Sequence, residues 1–290
     1  MKKSTIIISI AVVIGILGFG AVSYWYLMMY QPAEYAKAII RLDEEIKAAG
    51  DIFSTPELKG NDDYDGALLV LRQRKDFLEG FQEKFTSLNL PLLAKDGQIK
   101  EDALRVLEIM LVMNNDAEER ALFFVKAKEL HEVFELVPEQ KGTTIGDVQE
   151  YVTEVINQAK EKGQTLFETT FFEKTLFEKE PPEFDGEVSF VQLKSAWEKA
   201  LPAFDVILPF FLSQDPSLPV TQQAQPPPDV KEASDATQEF IRLLKLVIQN
   251  NSAEDIVSYR FTGDAFQDEL DTLNARFQEA IDKLKKEYPQ

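Results

Sequence analysis

The chain has 290 residues, of which 50 are acidic and 31 are basic, so its formal net charge at pH 7 is −19. An acidic surface repels phosphate, which argues against nucleic acid as a partner. The chain contains no cysteine and one histidine, which excludes disulfides, thiol nucleophiles, iron–sulfur ligation and any site that needs two histidines.

A long uncharged segment follows Lys2 and Lys3. Its apolar part, residues 6–30, would form a helix of about 37 Å, which can cross a hydrocarbon core of about 30 Å with some tilt. Aromatic residues cluster near its far end, as they do at a membrane interface: Tyr24, Trp25, Tyr26 and Tyr30. We therefore predict a single transmembrane anchor over residues 1–30, which contacts the lipid bilayer through residues 6–30.

The short basic segment before the apolar run is typical of a signal anchor. It predicts a cytoplasmic N-terminus and an extracytoplasmic domain after residue 30, in a host that is more plausibly prokaryotic. A cleaved signal peptide is the alternative, because residues 21–23 (Ala-Val-Ser) resemble a cleavage site. The apolar run continues past that site, which favours an anchor that is kept.

Apolar residues recur at helical spacing in most of the chain after residue 30, and strand signals are scarce. The sequence therefore predicts an all-α, multi-helix bundle. Residues 32–49 would form a helical stalk, and the long helix 99–137 would break or kink at Asn114–Asp116. Thr144 and Asp147 form a capping box before a helix that Gly163 would end.

Residues 213–229 contain five prolines and predict an extended linker or long loop. We therefore divide the chain into an anchor (1–30), a main helical bundle (31–212), the linker and a C-terminal helical pair (230–290). The last predicted helix, 262–287, has an apolar seam, which we expect to pair with residues 240–247 and to dock on the bundle. The seam consists of Phe266, Leu270, Leu273, Phe277, Ile281 and Leu284.

Residues 165–179 repeat a five-residue pattern three times, as TLFET, TFFEK and TLFEK. Five residues advance a helix by about 140°, so the apolar pairs form no single stripe. A helix buried on most sides is the favoured interpretation. A pair of short strands and a phenylalanine-rich docking surface are the alternatives.

The segment that begins at Asn61 resembles the start of a calcium-binding loop. Asn61, Asp63 and Asp65 would supply oxygen ligands, and a glycine follows at the sixth position. The twelfth position, which needs a bidentate glutamate, is Arg72. The pattern is therefore a weak metal candidate, and an Asp-rich turn that caps the next helix is the favoured interpretation.

His131 begins the sequence HEVFE, in which Glu135 replaces the second histidine of the zinc-protease motif. The chain also lacks a nucleophile elbow, a phosphate-binding loop and a dinucleotide fingerprint. We therefore expect no catalytic site and no cofactor. The sequence favours a membrane-anchored scaffold or protein-interaction protein, whose partner is another membrane or extracytoplasmic protein. A ligand-sensing or solute-binding ectodomain that acts with a partner membrane protein is the alternative.

Overall fold

The computed structural model describes residues 22–50, 58–89, 97–135, 144–168, 188–258 and 267–289. The helices are α1 (Gln31–Ala48), α2 (Tyr64–Ser87), α3 (Gly97–Glu135), α4 (Ile145–Glu168), α5 (Phe190–Leu212), α6 (Pro228–Asn250), α7 (Ala253–Val257) and α8 (Gln267–Glu287). A π-helical turn, Tyr26–Tyr30, precedes α1, and a 3-10 turn, Val220–Gln222, precedes α6. The described residues contain no β-strand, which confirms the prediction of an all-α, multi-helix bundle.

The predicted membrane anchor falls mainly on residues 1–21, which lie outside the described residues. Among the helices that the structure describes, none combines the length and the apolar character needed to cross a membrane. The pentad repeat also falls largely outside the described residues. Only its first four residues, 165–168, are described, and they form the last turn of α4.

The chain folds into two compact units. The first contains Met1–Ser54, Gln73–Val112 and Gly263–Gln290, and the second contains Thr55–Arg72 and Met113–Thr262. Helices α2 and α3 contribute residues to both units. The units therefore cut across the segments 31–212 and 230–290 that the sequence analysis distinguishes.

The first unit contains α8, on which all described residues of the predicted apolar seam are buried. Phe266, the first residue of that seam, lies outside the described residues. The first unit has an apolar core to which α8 contributes. Its core contains Tyr35, Ala36, Ile39, Ile40, Leu42, Leu78, Phe81, Phe85, Ile99, Ala103, Leu107, Phe277, Ile281 and Leu284. Phe277 meets Phe85 of α2 edge to face, with 6.3 Å between the ring centroids. Phe240 and Val247, which the sequence analysis paired with this seam, belong instead to the core of the second unit.

Two buried carboxylates attach α8 to the rest of the first unit. The Asp43 side chain on α1 is only 2% exposed, and its Oδ2 lies 2.8 Å from Lys47 Nζ and 3.4 Å from Lys285 Nζ. Asp102 Oδ1 on α3 accepts a hydrogen bond from Arg276 Nη2 at 2.5 Å. Because a buried carboxylate is stable only with such partners, these contacts favour one position of α8 on the bundle.

The second unit is built around the aromatic rings of α4, α5 and α6. Trp197 stacks on Phe167 with 5.6 Å between ring centroids, and it also contacts Phe240 and Phe204 at 5.2 and 6.1 Å. The prediction that α4 ends at Gly163 is wrong, since the helix continues to Glu168. Gly163 lies opposite the indole of Trp197, where its missing side chain makes room for the ring.

A break or kink was predicted in α3 at Asn114–Asp116. The break is wrong, because the helix is continuous from Gly97 to Glu135, and the kink stays a prediction. Asn114 is fully buried, and its Nδ2 donates a hydrogen bond of 2.8 Å to the carbonyl oxygen of Leu71 on α2. This bond joins α3 to the neighbouring helix α2, and α3 continues past Asn114 without interruption.

The predicted capping box at the start of α4 is confirmed. Thr144 Oγ1 accepts from the Asp147 N–H at 3.3 Å, and Asp147 Oδ2 accepts from the Thr144 N–H at 3.1 Å. The next two donors of this helix start, the N–H groups of Ile145 and Gly146, bond to the carbonyls of Leu218 and Pro216 at 2.8 and 3.0 Å. The proline-rich segment is therefore attached to the N-terminus of α4.

Gly163→Ala is expected to lower the free energy of unfolding by about 1–3 kcal/mol, the usual cost of overpacking a core. A Cβ at this position would lie 2.6 Å from Cζ3 of Trp197. Gly80→Ala is the matched control, because no atom lies within 4 Å of its Cβ position. Alanine is favoured over glycine in a helix by about 0.5–1 kcal/mol, so this variant should be more stable. Urea unfolding measures the free energy of unfolding of both variants. A higher free energy of unfolding for Gly163→Ala than for the wild-type chain would contradict the close packing.

Candidate functional site

Asp63 ends the loop before α2 and caps that helix. Its Oδ1 accepts from the backbone N–H of Gly66 at 3.1 Å, and its Oδ2 accepts from the backbone N–H of Lys59 at 2.9 Å. The hydrogen bond from Lys59 holds the pKa of Asp63 below its ordinary value. A Cβ at Gly66 would lie 2.7 Å from Cγ of this carboxylate, so the cap itself accounts for the glycine.

The other members of the calcium-like segment have different positions. Asp62 Oδ2 accepts from Lys128 Nζ of α3 at 2.8 Å, and this bond lowers the pKa of Asp62. The backbone carbonyl of Asn61 accepts from the Ala253 N–H at 2.7 Å. Asp65 is exposed in the first turn of α2. Within the described ranges, no three His, Asp or Glu side chains are grouped as a metal ion would require.

Tyr64 attaches this loop to the rest of the second unit. Its ring is buried and stacks on Phe124 of α3 with 5.1 Å between centroids. Its hydroxyl lies 2.8 Å from the carbonyl oxygen of Ile248 and 2.7 Å from that of Asn251, at the end of α6. Burial raises the pKa of Tyr64 well above its ordinary value, so the hydroxyl stays a hydrogen-bond donor.

A cleft of about 410 Å³ lies between this loop, the end of α3 and the end of α6. Its walls carry Asn61, Asp62, His131, Glu135, Lys245, Ile248, Gln249 and Ser252. The sequence analysis singled out Asn61, His131 and Glu135, and the structure brings these three residues to one cleft. The sequence analysis did not identify Lys245 or Gln249, because no local sequence pattern links these residues to His131.

His131 is a titratable group of the cleft whose pKa is shifted by burial and by nearby charges. Its side chain is 12% exposed, and Nδ1 lies 3.7 Å from Oε1 of Glu135. Burial lowers the pKa of His131 below the ordinary value, and Lys245 acts in the same direction, whereas Glu135 and Glu132 oppose the shift. The imidazole is therefore neutral at pH 7 and can both donate and accept a hydrogen bond.

Ser252 is occupied by the start of α7. Its Oγ donates to Asp255 Oδ2 at 2.6 Å and accepts from the Asp255 N–H at 3.1 Å, so it caps that short helix. Asp62 is bonded to Lys128. The other polar groups of the cleft are a cation, an anion, an imidazole and two amides: Lys245, Glu135, His131, Asn61 and Gln249. This set suits the binding of a small ligand that carries both charges, and it does not present an activated nucleophile.

As the only histidine of the chain, His131 is expected to give one imidazole signal that titrates below pH 6.5, because burial lowers its pKa. The unfolded chain then takes up its proton at a higher pH than the folded chain. Below about pH 6.5 the contribution of His131 to the free energy of unfolding should fall as the pH falls, and above that pH it should be constant. NMR titration and urea unfolding at several pH values measure the two effects.

Two variants separate the causes of this shift. Lys245→Met should raise the midpoint, because it removes a repelling cation, and Glu135→Gln should lower it, because it removes an attracting anion. A wild-type midpoint at or above 6.5, or shifts of equal sign in both variants, would contradict the described environment.

Calcium at millimolar concentration is expected to leave the Tm unchanged, because both Asp63 oxygens already accept backbone hydrogen bonds. A bound ion would stabilise the native state by about 2.7 kcal/mol at 100 times its Kd. Thermal unfolding with calcium and with chelator measures the difference. A rise of several degrees that Asp65→Asn removes, and that the control Asp76→Asn on the same helix retains, would show that the loop binds calcium.

No protein-family model, curated protein or solved structure matches this chain. The features that bear on function are the cleft beside His131 and the apolar side chains that the fold leaves uncovered.

Proposed function

We propose that this protein is a membrane-anchored helical scaffold or protein-interaction protein, and that the part after residue 30 lies outside the cytoplasm. The observation that carries this proposal is the exposed apolar surface of residues 22–30. Its large side chains are 44–65% exposed: Val22, Tyr24, Trp25, Tyr26, Met28, Met29 and Tyr30. A surface as apolar as this normally contacts lipid or another protein.

The exposed residues continue the uncharged run that begins at Ser4. The described chain is helical from Val22 through the π-helical turn into α1. The rings of Trp25 and Tyr26 pack against that of Tyr30, with centroids 5.6 and 5.5 Å apart. Aromatic rings grouped at the polar end of an apolar run are typical of a membrane–water interface. In this proposal the anchor leads directly into α1, which is not a free stalk, because its Tyr35, Ile39 and Ile40 lie in the core of the first unit.

The signal-anchor pattern supports the orientation, and the net charge supports the class of partner. A short basic segment, Lys2 and Lys3, precedes the apolar run, and this pattern favours a cytoplasmic N-terminus. The net charge of −19 disfavours nucleic acid and is compatible with another membrane or extracytoplasmic protein. The absence of cysteine from the sequence supports a prokaryotic host.

The chemistry of the cleft supports binding over catalysis. Lys245 and Glu135 place opposite charges on its walls, which suits the binding of a charged ligand. The hydroxyl of Ser252 on the same walls is bonded to Asp255 and caps α7. The proposal therefore assigns the protein no reaction.

A ligand-sensing or solute-binding ectodomain that works with a partner membrane protein is the second candidate. The cleft beside His131 supports it, because its volume of about 410 Å³ falls within the usual range for ligand sites, about 300–1,000 Å³. In this alternative Lys245 would bind an anionic group of the ligand and Glu135 a cationic group. Weakened binding of a solute in both Lys245→Met and Glu135→Gln would favour this candidate.

The full chain is expected to sediment with membranes and to resist extraction at alkaline pH, because residues 6–30 span the bilayer. Leu17→Arg together with Phe19→Arg should release it, since each charge near the helix centre costs about 2.5–3.5 kcal/mol. Ser4→Arg together with Thr5→Arg is the matched control, because it adds the same two charges at the end of the run. A phosphatase fused after Gln290 should be active, as expected outside the cytoplasm.

Two results would contradict this proposal. One is full extraction of the wild-type chain at alkaline pH, which would show that it is not embedded. The other is N-terminal sequencing of the mature protein that begins at Tyr24, which would show that residues 1–23 are a cleaved signal peptide. Either result would leave the cleft beside His131 unaffected.

A further inference from the structure

The segment between α5 and α6 ends in an exposed, extended run. Gln223 has φ −55° and ψ 135°, and Pro227 has φ −65° and ψ 164°. These angles are close to those of polyproline II, about −75° and 145°. Every residue from 224 to 228 is exposed, including the three consecutive prolines Pro226, Pro227 and Pro228.

Local sterics are sufficient to dictate this conformation. Each proline ring fixes its own φ near −65°. A residue that precedes proline is also kept out of the α region. Gln225, Pro226 and Pro227 each precede a proline, so three consecutive residues are restricted to extended backbone. The run therefore has little conformational entropy to lose when a partner binds it.

Both ends of the run are attached to the second unit. The Ala224 N–H donates to Gln214 Oε1 at 3.1 Å. At the other end, the Pro227 carbonyl accepts from the Lys231 N–H at 3.0 Å, in the first turn of α6. Gln149 of α4 holds the base of the segment, because its Nε2 donates to the carbonyls of Phe211 and Gln214 at 2.8 and 2.9 Å. The prolines are thus presented on a folded support.

We propose that residues 223–228 are a docking motif for a partner domain whose groove is lined by aromatic side chains. Grooves of this kind bind a preformed polyproline II helix through its proline rings and its free carbonyl groups. Asp229 follows the prolines directly, and the chain carries a net charge of −19. The partner groove should therefore have a basic residue beside its aromatic residues.

This inference rests on the proposed function as an interaction protein, and it names the class of partner. It does not depend on the membrane anchor, because the run belongs to the second unit.

The test uses the full chain in host cells, with the photo-crosslinking residue p-benzoylphenylalanine in place of Gln225. Illumination should give an adduct with one partner protein, and decaproline, added to permeabilised cells, should reduce the adduct. Pro226→Ala together with Pro227→Ala should lower its yield about tenfold or more, as loss of a central contact does. Pro228 is kept, because it begins α6.

Thr221→Ala together with Gln222→Ala is the matched control, since it removes two exposed side chains of the same segment and leaves the prolines intact. A Tm equal to that of the wild-type chain, measured for each double variant, verifies that both variants fold. An adduct that persists with decaproline and in the proline variant overturns the motif, and so does the absence of any adduct. Sedimentation of the same variants with membranes reports on the anchor alone, so the two proposals fail separately.

Discussion

The cleft of the second unit depends on the buried hydroxyl of Tyr64. A buried hydroxyl without a partner costs about 1–3 kcal/mol, and here the nearest acceptors are the carbonyls of Ile248 and Asn251, at 2.8 and 2.7 Å. Carbonyl groups at the end of a helix lack hydrogen-bond partners within that helix. The contact therefore gives a partner both to the hydroxyl of Tyr64 and to the carbonyls at the end of α6. Because Asp62 lies two residues before Tyr64 and Gln249 lies next to Ile248, the same contact sets the distance between two walls of the cleft.

The features that the sequence predicts correctly are those that neighbouring residues determine. Thr144 and Asp147 cap α4 because their spacing alone brings each side chain to the other's backbone. At Gly163 and Asn114, contacts with residues distant in sequence outweigh the tendency of these residue types to end or interrupt a helix. Glycine commonly ends a helix, but Gly163 serves the close approach of Trp197. Asparagine commonly interrupts a helix, but Asn114 bonds to Leu71.

The seam of α8 and the cleft show the limit of periodic patterns. An apolar stripe establishes that a face is buried, but it does not identify what covers that face. Phe277 packs against Phe85, and Ile281 and Leu284 belong to the same core in the first unit. The cleft could not be predicted from the sequence for a related reason. His131 and Lys245 are more than one hundred residues apart and share no spacing rule, so only the folded chain brings them together.

The two surfaces proposed to bind partners, residues 22–30 and residues 223–228, have a different structural origin from the cleft. The exposed residues 22–30 are apolar by composition, and residues 223–228 are extended because prolines restrict them. Both properties are local and persist when the packing around them changes. The cleft depends on contacts between distant segments. Tyr64 bonds the loop to the end of α6, and Asn61 and Asp62 bond it to Ala253 and Lys128. A change in that packing would therefore alter a solute-binding function before it alters the two recognition surfaces, which separates the two candidate functions on physical grounds.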